Sequence, residues 1–178
     1  DLFHAISARL GKKDIIAEDL GFVTPSVEQL VRDSGYPNMK VIEFAFDERD
    51  TGNASSYLPH NYSNNCVVYT GTHDNETLAG WFQSITDKER LMVREYLNNF
   101  HSSDEEIYKD LICLAMESVA DLCVIPMQDY LGLGNDCRTN KPSTIGINWR
   151  WRLKEGQFDE KLSKWMKKLA VTYGRVNK

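Results

Sequence analysis

The chain has 178 residues, 42% hydrophobic and 26% charged, with a formal charge of −5 and a pI near 5.4. That composition provides for one sizeable core in a single globular unit, and its acidic balance argues against nucleic acid, whose phosphates attract basic surfaces. The longest apolar runs, such as residues 66–69 and 120–127, are too short to span a bilayer, so no membrane partner is expected.

The first residues, Asp1-Leu2-Phe3-His4, read as already inside a helix. No initiator Met or charged-then-apolar leader precedes them, so the chain is expected to be cut from a longer one. Residues 14–18 (DIIAE) predict a strand ending in a carboxylate. Thr24-Pro25 then supplies an N-cap and a proline at the first helical position, Val27, Leu30 and Val31 follow at helical spacing, and Gly35 is a natural stop. Residues 39–46 (MKVIEFAF) predict a second strand, and a polar loop from 47 to 65 follows. Loops of that length in a compact domain are usually functional. Residues 66–70 (CVVYT) predict a third strand, running into Gly71-Thr72-His73-Asp74-Asn75.

A helix is expected over 76–83. Two more open on capping boxes, Thr86-x-x-Glu89 and Ser103-x-x-Glu106, the second carrying Ile107, Leu111, Leu114, Ala115 and Val119 on one face. Residues 121–126 (DLCVIP) predict the fourth strand. A segment rich in Gly, Asn and Arg spans 131–156, and a last helix runs from about 159 to 173. The cysteines Cys66, Cys113, Cys123 and Cys137 form no C-x-x-C pair and no metal-ligand spacing. They read as reduced core thiols of a cytoplasmic protein, with no metal or other cofactor implied.

Four near-continuous apolar strands, each followed by a helix or long loop, indicate an α/β fold with parallel pairing. Periodicity leaves open a flavodoxin-like sheet or half of an eight-stranded barrel. In both, ligands bind past the C-terminal strand ends, where Glu18-Asp19, Asp47, His73-Asp74 and Gln128-Asp129 collect. Two strands placing carboxylates at one mouth suit acid/base chemistry on a bound substrate, although each carboxylate alone suits a cap or turn. Asp47 has both readings, substrate contact or turn residue, and His60 reads as structural in its loop, with an approach to substrate as the alternative.

Five motifs in order carry a family resemblance across nearly the whole chain. Ile16-Ala17-Glu18-Asp19-Leu20-Gly21 resembles the acid/base strand of the amylomaltase or disproportionating-enzyme family, the 4-α-glucanotransferases of glycoside hydrolase family 77. Leu58-Pro59-His60-Asn61-Tyr62 and Tyr69-Thr70-Gly71-Thr72-His73-Asp74-Asn75 resemble the loop and motif of its seventh strand. Pro126-Met127-Gln128-Asp129 with Leu131-Gly132-Leu133-Gly134 is similar to its eighth-strand exit, and Asn148-Trp149-Arg150-Trp151-Arg152 to its closing signature.

The resemblance implies the C-terminal half of a TIM (β/α)8 barrel, strands five to eight plus a C-terminal helix, as one segment over 1–178. It implies transfer of α-1,4-glucan segments between maltooligosaccharide donors and acceptors with retention of configuration. Glu18 would be the general acid/base and Asp74 the carboxylate that stabilises the transition state. His73, Asn75, Arg138 and Asn140 would join Asp47 in binding substrate. The family's nucleophilic Asp belongs to a fourth strand upstream of residue 1, so the isolated chain would be inactive.

Trp81, Trp149, Trp151 and Tyr57 are candidate sugar platforms, with Trp149 and Trp151 read rather as packing residues. The loop 138–146 would lie over the site's mouth. Many relatives carry Pro-Gly where this chain has Pro142-Ser143, and Pro-Gly-Met where it has Pro37-Asn38-Met39. The alternatives are a glucan-binding module and an amylase-type hydrolase. A half-barrel would expose strand edges, so pairing with the missing half or self-association is expected.

Overall fold

Short β-branched runs between Gly-, Pro- and Asn-rich turns set three strands side by side. The computed structural model describes residues 2–21, 23–49 and 56–176. Strands β1 (Asn38–Val41), β2 (Cys66–Tyr69) and β3 (Leu122–Val124) form a parallel sheet in the order β1-β2-β3, with Met39 opposite Val67 and Val68 opposite Cys123. Parallel neighbours need long crossovers. The 47–65 loop makes the first, and helices α3 (Leu78–Ser84), α4 (Asp87–Leu97) and α5 (Ile107–Glu117) make the second. A single turn, α6 (Met127–Tyr130), leaves β3, and α7 (Glu160–Thr172) closes the chain.

Alternation along β2 sends Cys66 and Val68 into one core with Phe82, Val93, Leu111 and Ile112 from the helices. Val41 and Val67 are buried outside that cluster. Arg175, past α7, donates to the carbonyls of Met116, Ser118 and Ala120 at 2.8, 2.9 and 3.0 Å, so one guanidinium fork pins the chain's end beneath α5. Helices α1 (Leu2–Leu10) and α2 (Pro25–Ser34) bury no residue. In α2, Val27 and Leu30 stay 41% and 53% exposed, so the apolar stripe exists but the described residues leave it uncovered.

Four expectations need correction. Residues 14–18 make no strand, only one parallel bridge, Ala17 to Asn38. The Ala17 N–H reaches the Pro37 carbonyl (2.9 Å), and the neighbouring Asp19 carboxylate accepts from the Met39 N–H (3.0 Å) and the Asn38 side chain (3.1 Å), so one backbone bond and one side chain, not a ladder, tie this segment to β1. The expected strand 39–46 stops at Val41. A 3-10 turn over Ile42–Phe46 follows, buries Ile42, Glu43, Ala45 and Phe46, and returns the Glu43 N–H to the Thr70 carbonyl (3.3 Å). Ser103 gives no capping box; its carbonyl accepts from Glu106 and Ile107 (both 3.1 Å), while Glu106 sits at the N-cap and pairs with Lys109. Val119 lies beyond α5 and is exposed.

Elsewhere the local signals hold. Thr86 and Glu89 form a reciprocal capping box (3.2 and 2.8 Å), Gly35 is left-handed at φ 70° after α2, and Asp159 caps α7 through the Leu162 N–H (2.7 Å). Within the 47–65 loop, Gly52 lies outside the described residues. His60 bonds the Tyr96 hydroxyl (2.9 Å), as its structural reading required.

Candidate active site

Past the C-terminal end of β2 the chain must turn sharply, and Asn75 shapes the turn. Its side-chain carbonyl accepts from the Thr72 N–H (2.9 Å) and hydroxyl (2.7 Å), while the Asp74 N–H reaches the Thr72 hydroxyl (3.3 Å). The result lifts His73 and Asp74 to the surface, their side chains 51% and 48% exposed.

The Asp74 carboxylate is fixed from two sides. Its Oδ1 accepts from Asn140 Nδ2 at 2.6 Å and lies 3.3 Å from His73 Nε2. Arg138 donates to the Asp74 carbonyl (2.8 Å), and the Asn140 N–H to the His73 carbonyl (3.1 Å). Residues 138–140 therefore clasp the turn, and Asn148 holds the loop behind them through Lys141 and Thr144 (both 3.0 Å). Ser143 in that loop has φ 61°, a left-handed backbone that suits glycine better.

Glu18 follows the Ala17 bridge and is exposed. It lines a cleft of about 710 Å³ together with His73, Asp74, Asn75, Tyr69 and Phe44. Burial raises the Tyr69 phenol above its ordinary pKa, and the charge of Glu18 adds to the rise. Thus Glu18, His73, Asp74 and Asn75 share one mouth, with Asn140 and Arg138 bonded to Asp74. Asp47 does not join them. It pairs with Arg49 (2.5 Å), which holds its carboxyl below the usual range, and it faces an adjoining cleft of about 500 Å³ that also touches Asp74 and Arg138.

The family profile described as 4-alpha-glucanotransferase matches residues 1–159. The chain belongs to that family. It is 47% identical over 177 residues to the 4-alpha-glucanotransferase of Synechocystis sp. and 46% identical over 178 residues to the chloroplastic/amyloplastic 4-alpha-glucanotransferase of Solanum tuberosum. Both alignments take in 98% of this chain but only 34% and 30% of the relatives, so the chain spans about a third of the length of these curated 4-alpha-glucanotransferases. It also superposes on the amylomaltase from Streptococcus agalactiae, solved in complex with acarbose, with a TM-score of 0.91 and 35% identity over 99% of this chain and 35% of that one.

The structure also places Trp149, Trp81 and Asp129. Trp149, read as a packing residue, is 57% exposed, has φ 64° and tilts over the His73 ring at 5.0 Å. Trp81, a candidate platform, is buried among Phe46 and Phe82. Beneath the turn, Asp129 is only 1% exposed. Its oxygens accept from the Thr70 hydroxyl (2.6 Å) and the Leu78 N–H (2.8 Å), and burial pushes its pKa up to about 6 against those bonds. An acid a few residues past a strand end reads as exposed, and only its place in a short apolar exit hinted otherwise.

Proposed function

We propose that the protein carrying this chain is a 4-α-glucanotransferase that moves α-1,4-glucan segments to the 4-hydroxyl of glucose or of another glucan by a retaining double displacement. The observation that carries the reading is the Asp74 turn, clasped by Asn140 and Arg138, facing Glu18 across one open cleft. Family membership supports it.

In this reading, protonated Glu18 gives its proton to the glycosidic oxygen as that bond breaks, while a carboxylate from outside this chain attacks the anomeric carbon. Asp74 lies where positive charge develops on the ring, and its clasp removes the need to reorganise at that moment. Ionised Glu18 then takes the proton from an acceptor hydroxyl, whose oxygen displaces the nucleophile. His73, Arg138, Asn75 and Asn140 hold the reacting sugar directly or through Asp74, and exposed Trp149 offers an aromatic face to a neighbouring ring. Asp47 acts, if at all, from the second cleft.

The three strands and the Ala17 segment correspond, in this proposal, to strands five to eight of a barrel over residues 1–178. The missing half, or a second copy, covers its open face. The reading needs no cofactor. No helix among the described residues is long and apolar enough to cross a membrane, and the four cysteines are free thiols, in keeping with a reducing, cytoplasmic setting.

The test is incubation of the full-length protein with maltotriose and chromatography of the products. A ladder of glucose, maltose and longer maltooligosaccharides is expected. Glucose and maltose without longer products would make it a hydrolase, and no turnover would make it a binding module.

A further inference from the structure

Directly under the Asp74 turn lies a carboxyl group that the proposed chemistry does not use. Glu43, in the 3-10 turn after β1, is 6% exposed, and its Oε1 is the buried side-chain atom that lacks a hydrogen-bond partner among the described residues. The backbone of Glu76 lowers its pKa, the smallest of the influences on it. Gly71 lies hard against it, for a Cβ at position 71 would stand 2.5 Å from Glu43 Oε1 and 3.1 Å from the Asn75 Cβ. The carboxyl thus packs against the start of the 71–76 turn.

The charged groups facing it are Asp129 from α6, Glu76 from the turn and Arg138 from the clasp. Asp47, Asp74, Arg49 and Glu89 line the cleft alongside. Arg138 lies 3.8 Å from Glu76, so the cation nearest the group is shared. Among the described residues no three His, Cys, Asp or Glu side chains are arranged to hold a metal ion.

We infer that Glu43 is a positioning residue of the site: wedged beneath Gly71, it sets where His73 and Asp74 stand. The inference rests on the reading of Asp74 as the transition-state carboxylate. Glu43 does this as the neutral acid. Burial first, then Asp129 and Glu76, drive its pKa well above the ordinary carboxylate range. A neutral acid fills the space under Gly71 and adds no charge beside Asp129. Ionised, it would put an uncompensated charge beneath the turn and push the acids apart.

The experiment compares Glu43→Gln and Glu43→Ala in the full-length protein. Glutamine keeps the shape and the neutrality, so its kcat on maltotriose is expected within about threefold of wild type. Alanine removes the wedge, and kcat is expected to fall about tenfold to a hundredfold with KM little changed, as befits a displaced catalytic group. An infrared difference spectrum of wild type against Glu43→Gln at neutral pH should show the C=O stretch of one protonated carboxylic acid. Crystal structures should show the 71–76 turn in place in the glutamine variant and shifted in the alanine variant.

A glutamine variant as impaired as the alanine one, a missing acid band, or an unmoved turn in Glu43→Ala would overturn the inference. The spectrum and the structures do not depend on turnover. A wild type without transferase activity would therefore sink the functional reading while leaving the bracing role to be judged by them.

Discussion

Asp129 and Glu43 are carboxyl groups only 1% and 6% exposed, and burial raises the pKa of both. A carboxyl raised in the folded state favours folding most below its unfolded value and loses that contribution as pH climbs through the folded one. For Asp129 the window runs from 3.8 to about 6, and the difference amounts to roughly 3 kcal/mol. Asp129→Asn keeps an acceptor for the Leu78 N–H and a partner for Thr70. Thermal unfolding between pH 4 and pH 8 should therefore show a flatter stability curve for the variant than for wild type, and parallel curves would contradict the burial argument. At this scale the sequence was partly legible. His73, Asp74, Arg138 and Asn140 sit in contiguous motifs, and the structure brings them together. Glu43 was visible as the single acid inside the apolar run MKVIEFAF, a placement that calls for burial, yet nothing in the sequence says which group it braces.

Among the elements, those whose ends carry complete local chemistry were readable. Helix α4 has its Thr86–Glu89 box at one end and left-handed Asn98 at the other; Val93 is its fully buried residue, and Met92, Tyr96 and Leu97 pack beside it half-buried. The cap adds to that packing: Thr86→Ala should cost about 1 kcal/mol, read as a lower midpoint in urea with an unchanged slope. An unchanged midpoint would show that tertiary contacts hold α4 without its cap. The Ser103 signal failed because the backbone carbonyl of Ser103, not its hydroxyl, takes the orphan amides. The strand over 14–18 failed for a different reason. Its neighbour on one side is β1, reached through Asp19, and it has no strand on the other side among the described residues.

At the scale of the molecule, the sheet ends on both sides without closing. One face packs on α3, α4 and α5, while on the other Ile16, Leu122 and Val124 remain 42%, 48% and 37% exposed. Open edges beside uncovered apolar side chains invite further pairing. Sedimentation of the isolated 178-residue chain should therefore show association or aggregation, and a cooperatively folded monomer would count against the half-barrel proposal. Parallel pairing and the α/β class were legible from near-continuous apolar runs, whereas the choice between open sheet and barrel came only through family motifs. The central claim, that Glu18 and Asp74 work on one glucan bond across the shared cleft, is tested most directly by assaying maltotriose with folded full-length Glu18→Gln and Asp74→Asn variants. The account predicts that each variant loses the ladder of longer maltooligosaccharides, with rates down at least about a hundredfold; a full ladder from either would contradict it.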